Sequence, residues 1–146
     1  MKLIYPAIFT PYDEDGEKGY VVVFPDLPGC STGGDSLGEA LEMAEDAASG
    51  WILTSIEDGE TIPQASRIQD VHAEEEGAFV NLVRLDIGTY AKLHSNKAVK
   101  KTLTIPQWLN TVAEKEGVNF SKILQEALLA SIHASPKEMT HQQNEK

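Results

Sequence analysis

The chain has 146 residues, 23 acidic against 12 basic side chains, a formal charge of -11 and a pI near 4.7, enough length for one ordinary domain or two small ones. No apolar run reaches the roughly 18 residues of a membrane span, and the opening MKLIYPAIFTPYD has a proline where a signal peptide needs a continuous apolar core, so the chain is expected to be cytoplasmic. Cys30 stands alone, which excludes an intrachain disulfide and a multi-cysteine metal site and leaves a small, semi-buried side chain in a turn.

Charge divides the chain. Residues 1–90 hold four Lys or Arg against eighteen Asp or Glu, whereas residues 91–146 hold eight against five, so the two halves are expected to meet different partners. The stretch LIYPAIFTPY is rich in aromatic and β-branched residues and reads as a strand, with Pro6 implying an edge position or a bulge. DEDGEKG is a turn and YVVVF a second strand, which together make a hairpin. PDLPGCSTGGDS, with its prolines and glycines, reads as a tight irregular loop. Ser36 and Glu39 then form an S-x-x-E capping box at the start of a long helix. Its apolar residues Leu37, Ala40, Leu41, Ala44, Ala47, Ala48, Trp51, Ile52 and Ile56 recur at three- and four-residue steps, and Gly59 is its stop signal. AFVNLVRLDI gives a third strand, with Phe79, Val83, Leu85 and Ile87 on one face. One amphipathic helix on a three-stranded antiparallel sheet is an α+β unit with a sufficient two-layer core.

Residues 89–98 lack a clear period, shift toward basic composition and read as a linker with room for a helical turn. In VKKTLTIP, Val99, Leu103 and Ile105 alternate with Lys100, Thr102 and Thr104, Lys101 falling on the otherwise apolar side. Pro106 opens a helix with the stripe Trp108, Leu109, Val112 and Ala113, which Gly117 ends. Asn119 caps a second helix with the stripe Ile123, Leu124, Ala127, Leu128 and Ile132. The tail after His133 is polar and expected to be disordered. A strand and two helices over residues 99–133 fall below the roughly 40 residues at which a unit usually persists alone, and no cysteine or metal ligand is present to staple it. Pairing its strand antiparallel with that of a second copy removes the deficit. The expected product is a two-fold dimer holding Leu103, Ile105, Trp108, Ile123, Leu124 and Leu128 in its interior. Such a ribbon fits the DNA major groove with Lys100, Thr102 and Thr104 on its outer face; Lys101, although on the other side of the alternation, is counted with them as a DNA-binding residue, and the helix start at Asn119, Ser121 and Lys122 offers backbone donors to a phosphate.

Residues 99–132 thus resemble a ribbon-helix-helix repressor, and residues 1–88, above all FPDLPGCSTGGDSLGEALEMAEDA, resemble the N-terminal domain of HicB antitoxins. The likeness covers nearly the whole chain and implies four parts: a toxin-binding domain over 1–88, a linker over 89–98, a DNA-binding and dimerisation domain over 99–133 and a polar tail over 134–146. It further implies a partial ribonuclease-H-like fold for the first part, which binds the small, basic, messenger-RNA-cleaving HicA toxin, while the dimer represses the operon that encodes both. Phe24, Asp26, Leu27, Cys30, Asp35 and Glu39 are the residues assigned to toxin contact. Threonines stand where such repressors often carry Arg, Lys, Asn or Gln, which shifts the weight of recognition toward phosphates and DNA shape. No enzymatic activity, cofactor or membrane partner is expected.

Two other readings compete. Asp26, Asp35 and Glu39 are the carboxylates a metal-dependent nuclease with a DNA-targeting tail would use, although turn and capping chemistry already accounts for each. A stand-alone repressor would have no neighbouring toxin gene. His72, His94, His133 and His141 have no ligand spacing and read as surface residues, Trp51 and Trp108 as core, and Glu74 to Glu76 as a solvated run. Lys100 and Lys101 also suit an edge-strand guard.

Overall fold

The computed structural model describes residues 1–132; His133, His141 and the tail expected over 134–146 lie outside the described residues. Two compact units divide the described residues, one over Met1–Ser95 and one over 96–132. The first is a mixed α+β unit built on one antiparallel sheet.

Strands β1 (Lys2–Glu14) and β2 (Glu17–Val23) form a hairpin, with β3 (Ser31–Gly34) beside β2 and β4 (Phe79–Asp86) beside β1, giving the order β3-β2-β1-β4. Asp15 and Gly16, at φ 52° and 86°, make the two-residue hairpin turn, since an Asp-Gly pair adopts the left-handed backbone that matches strand twist. β1 is a central strand, contrary to the edge position its proline suggests. Pairing with β4 runs from Lys2 to Phe9 and pairing with β2 from Ile8 to Glu14, so only Ile8 and Phe9 are flanked on both sides. Pro6 has β4 alone beside it and Pro11 has β2 alone, so neither missing donor lies between two ladders. The register shows no bulge.

The sheet has four strands, not the expected three, because Ser31–Gly34 pairs with Tyr20–Val23. Its glycines hide a strand inside a loop-like composition, and packing requires at least one of them. A Cβ on Gly34 would sit 2.5 Å from the backbone nitrogen of Ala40, so only a bare residue lets the next helix start against the sheet edge.

Helix α1 (Leu37–Glu57) covers one sheet face. Ser36 caps it by accepting the Glu39 N–H at 3.2 Å, while the Glu39 carboxylate accepts the N–H of Asp35 at 2.8 Å. The return leg of the capping box thus ends one residue earlier than its usual target. At the other end Gly59, at φ 73°, closes a Schellman motif: its N–H donates to Ile56 and that of Glu60 to Ser55. Ala40, Ala44 and Ala48 are small enough to bring α1 onto the sheet, and with Ile52 they pack on Leu3, Tyr5, Phe9, Val22, Val83 and Leu85. Residues 87–94, expected to end a strand and begin a linker with room for a helical turn, form a full helix α2 (Ile87–His94), capped by the Asp86 carboxylate accepting the Thr89 N–H at 3.1 Å. The cap residue lies inside the strand pattern, which concealed the helix start.

In the second unit, residues 96–106 form neither helix nor strand within the single chain. Helix α3 (Gln107–Lys115) follows Pro106, which sits at the N-cap and not inside the helix, and Gly117 ends it in a second Schellman motif. Helix α4 (Phe120–Ser131) starts at Asn119, whose side chain accepts the Lys122 N–H at 3.0 Å.

Candidate functional site

The loop after β2 is built by three backbone bonds, Phe24 N–H to Cys30, Leu27 N–H to Phe24 and Cys30 N–H to Leu27, with Gly29 at φ 77°. This folding turns its apolar side chains inward. Phe24, Leu27 and Cys30, three of the residues assigned to toxin contact, are 1%, 0% and 6% exposed and belong to the core, so their side chains present almost no surface to a partner. Burial also pushes the Cys30 thiol up, away from thiolate chemistry.

Asp26 works inside the unit as well. Its two carboxylate oxygens accept the Ser66 N–H at 2.9 Å and the Ser66 hydroxyl at 2.6 Å, tying the loop to the segment after α1. Beside it the Tyr5 hydroxyl donates to the Pro63 carbonyl, and burial, followed by the nearby Asp26 charge, pushes this phenol up to about 12. The Trp51 indole N–H donates to the Pro28 carbonyl at 3.1 Å, so Trp51 is a half-buried brace on the core. Sequence reading missed Tyr5 and Ser66, because two groups 40 positions or more from their partners leave no local signal.

Of the residues assigned to toxin contact, Asp35 and Glu39 are exposed. Asp35 lies at a cavity of about 360 Å³ that it shares with Tyr12, Asp13, Lys18 and Tyr20 at the hairpin end of the sheet. Among the described residues no group of three or more His, Cys, Asp or Glu is arranged to hold a metal ion.

In the second unit Lys100, Lys101, Thr102, Thr104, Asn119, Ser121 and Lys122 are all exposed. The clamp expected at the start of α4 is narrower than its sequence suggests, because the Lys122 N–H is already taken by Asn119. Phe120 and Ser121 keep first-turn N–H groups with no acceptor among the described residues. The apolar side chains are exposed too: Leu103 54%, Ile105 43%, Trp108 68%, Ile123 52% and Leu128 51%, with Leu124 half-buried. Neither helix of this unit buries a single side chain, so Trp108 is not a core residue of the isolated chain.

Residues 5–128 match the family model described as HicB_like antitoxin of bacterial toxin-antitoxin system. An uncharacterized 14.9 kDa protein of Haemophilus phage HP1 (strain HP1c1) is 33% identical over 109 residues, 73% of this chain and 76% of that protein. Antitoxin HicB 2 of Photorhabdus laumondii subsp. laumondii is 44% identical over 81 residues, 56% of this chain and 55% of that protein, so the match spans about half of the curated antitoxin. Among solved structures, a chain of a toxin-antitoxin complex from Streptococcus pneumoniae is 30% identical with a TM-score of 0.59, over 90% of this chain and 99% of that one. With a family model matched along most of its length, this chain belongs to the HicB-like antitoxins of bacterial toxin-antitoxin systems.

Proposed function

We propose that the protein is a cytoplasmic antitoxin that neutralises a small, basic, HicA-like toxin through its first unit and represses its own operon by binding operator DNA as a homodimer through its second. The toxin-antitoxin complex among its structural relatives supports the first activity. One observation carries the second: the unit over 96–132 buries no helical side chain, although Leu103, Ile105, Trp108, Ile123 and Leu128 are each more than two-fifths exposed. An apolar stripe left open on two short helices is not stable in water. A second copy supplies the missing surface if residues 99–105 of both chains pair as an antiparallel ribbon and the stripes of α3 and α4 close over it. Lys100, Thr102 and Thr104 then lie on the outer side, Lys101 toward the DNA flank, and the start of α4 around Asn119, Ser121 and Lys122 lies against phosphates.

Light scattering and an electrophoretic shift titration at two salt concentrations test this reading. The full chain should run as a dimer. Lys100→Ala should weaken binding to every sequence and flatten the salt dependence, whereas Thr102→Ala and Thr104→Ala should each relax discrimination at particular base pairs by roughly 1–3 kcal/mol. A monomer that shifts no operator, or three variants with unchanged affinity, overturns the DNA reading. Co-expression with the product of the adjacent gene tests the toxin reading, with growth restored as the expected outcome.

A further inference from the structure

The face of the β1–β2 hairpin turned away from α1 has an uncovered strip. Pleat alternation places the pairs Glu14–Glu17, Tyr12–Gly19, Thr10–Val21 and Ile8–Val23 on this face, while Phe9 and Val22 between them are buried beneath α1. Val21 and Val23 are 43% and 42% exposed, an apolar end that nothing in the unit covers. At the other end Glu14 and Glu17 are direct cross-strand partners, and like charges placed opposite each other destabilise a hairpin. Lys18 does not relieve them, because it pairs with Asp13 at 3.3 Å. Between the two ends lies Tyr12, its ring folded over Gly19 so closely that a Cβ there would come within 2.6 Å of the phenol oxygen. A tyrosine ring beside two uncompensated carboxylates suits a lysine or arginine side chain. Asp35 adds one more carboxylate at the adjoining cavity.

We infer that this strip is the surface on which the toxin docks, taking a segment whose apolar side chains cover Val21 and Val23 and whose Lys or Arg reaches Tyr12, Glu14 and Glu17. The inference rests on the toxin reading given above and adds the surface and the chemistry of its occupant. Charge complementarity selects that occupant: a protein that acts on RNA presents cations beside apolar contacts, whereas a second copy of this acidic unit would bring carboxylate against carboxylate. The arrangement divides the roles, with the apolar end holding the complex and the acidic end guiding its approach.

The test measures binding of the full chain to the purified product of the adjacent gene. Val21→Arg with Val23→Arg should lower affinity about 30-fold or more, as loss of a central anchor does, with an unchanged melting curve. Val23→Thr, which keeps the β-branched shape, should give a smaller loss and covers the case in which the double variant fails to fold. Glu14→Gln with Glu17→Gln should slow association and flatten its salt dependence while the hairpin becomes no less stable. Wild-type affinity in the folded valine variants overturns the docking site. So does a change in the mass of the toxin-free protein, which would make the strip a contact between copies. Absence of binding by the wild-type chain overturns the toxin reading itself and is thereby told apart from both.

Discussion

Tyr5 shows how one side chain joins stability to pH. Its hydroxyl holds the Pro63 carbonyl, and its folded pKa of about 12 lies above the ordinary value near 10. The unfolded chain therefore ionises first, so the contribution of Tyr5 is complete below about pH 10 and is lost as pH rises through about 12. Urea melts across this range should show the wild type losing stability with a steeper slope than Tyr5→Phe. At neutral pH the variant should be about 1–2 kcal/mol less stable, since a half-buried carbonyl loses its donor. Asp86 works in the opposite sense. The Thr89 backbone N–H, then the Thr89 side chain, and more weakly Lys2 and the amino terminus hold its carboxyl below the usual carboxylate range. Its support for α2 is present above about pH 4 and lost as pH falls below it. Asp86→Ala should fray α2 by amide NMR at neutral pH, whereas Asp86→Asn, which also accepts the cap bond, should keep it and remove the acid sensitivity.

At the scale of elements, β3 depends on what it lacks. Gly34→Ala would press a methyl group against the backbone of Ala40, where no flexible side chain can yield, so thermal melts should register a loss of about 1–3 kcal/mol. This position also marks a limit of sequence reading. Periodic apolar residues made α1, β4, α3 and α4 legible, and the caps Ser36 and Asn119 stand where local chemistry places them. β3 has no apolar period at all, and α2 begins on a residue that still alternates as strand, so the rules used for their neighbours misread both. The motif around Phe24 to Cys30 was legible as a family signature but not as a surface. Whether a conspicuous apolar residue faces a partner or a core is settled by the hydrogen bonds that turn its loop, not by its type.

At the scale of the whole molecule, the two units differ in how they gain stability. The first owns a core of sixteen buried apolar residues and should fold as a fragment of residues 1–95. That fragment should be monomeric, leave operator DNA unshifted and still rescue growth from the toxin. A fragment that is folded by circular dichroism yet fails the rescue would assign part of the inhibitory surface to the second unit. Toxin association with the full chain should slow as ionic strength rises, because residues 1–90 carry eighteen acidic side chains against four basic ones. The two ladders of β1 carry a consequence for biosynthesis. Its second half meets β2 as soon as the hairpin has emerged, but its first half pairs with a strand no nearer than 70 positions away, Phe9 with Phe79. At a translation speed of roughly 5–20 residues per second, Leu3, Tyr5 and Ala7 wait on the order of 4 to 15 seconds for the strand that completes their sheet. During that interval the nascent chain displays an unpaired apolar strand edge, the kind of surface that chaperones cover.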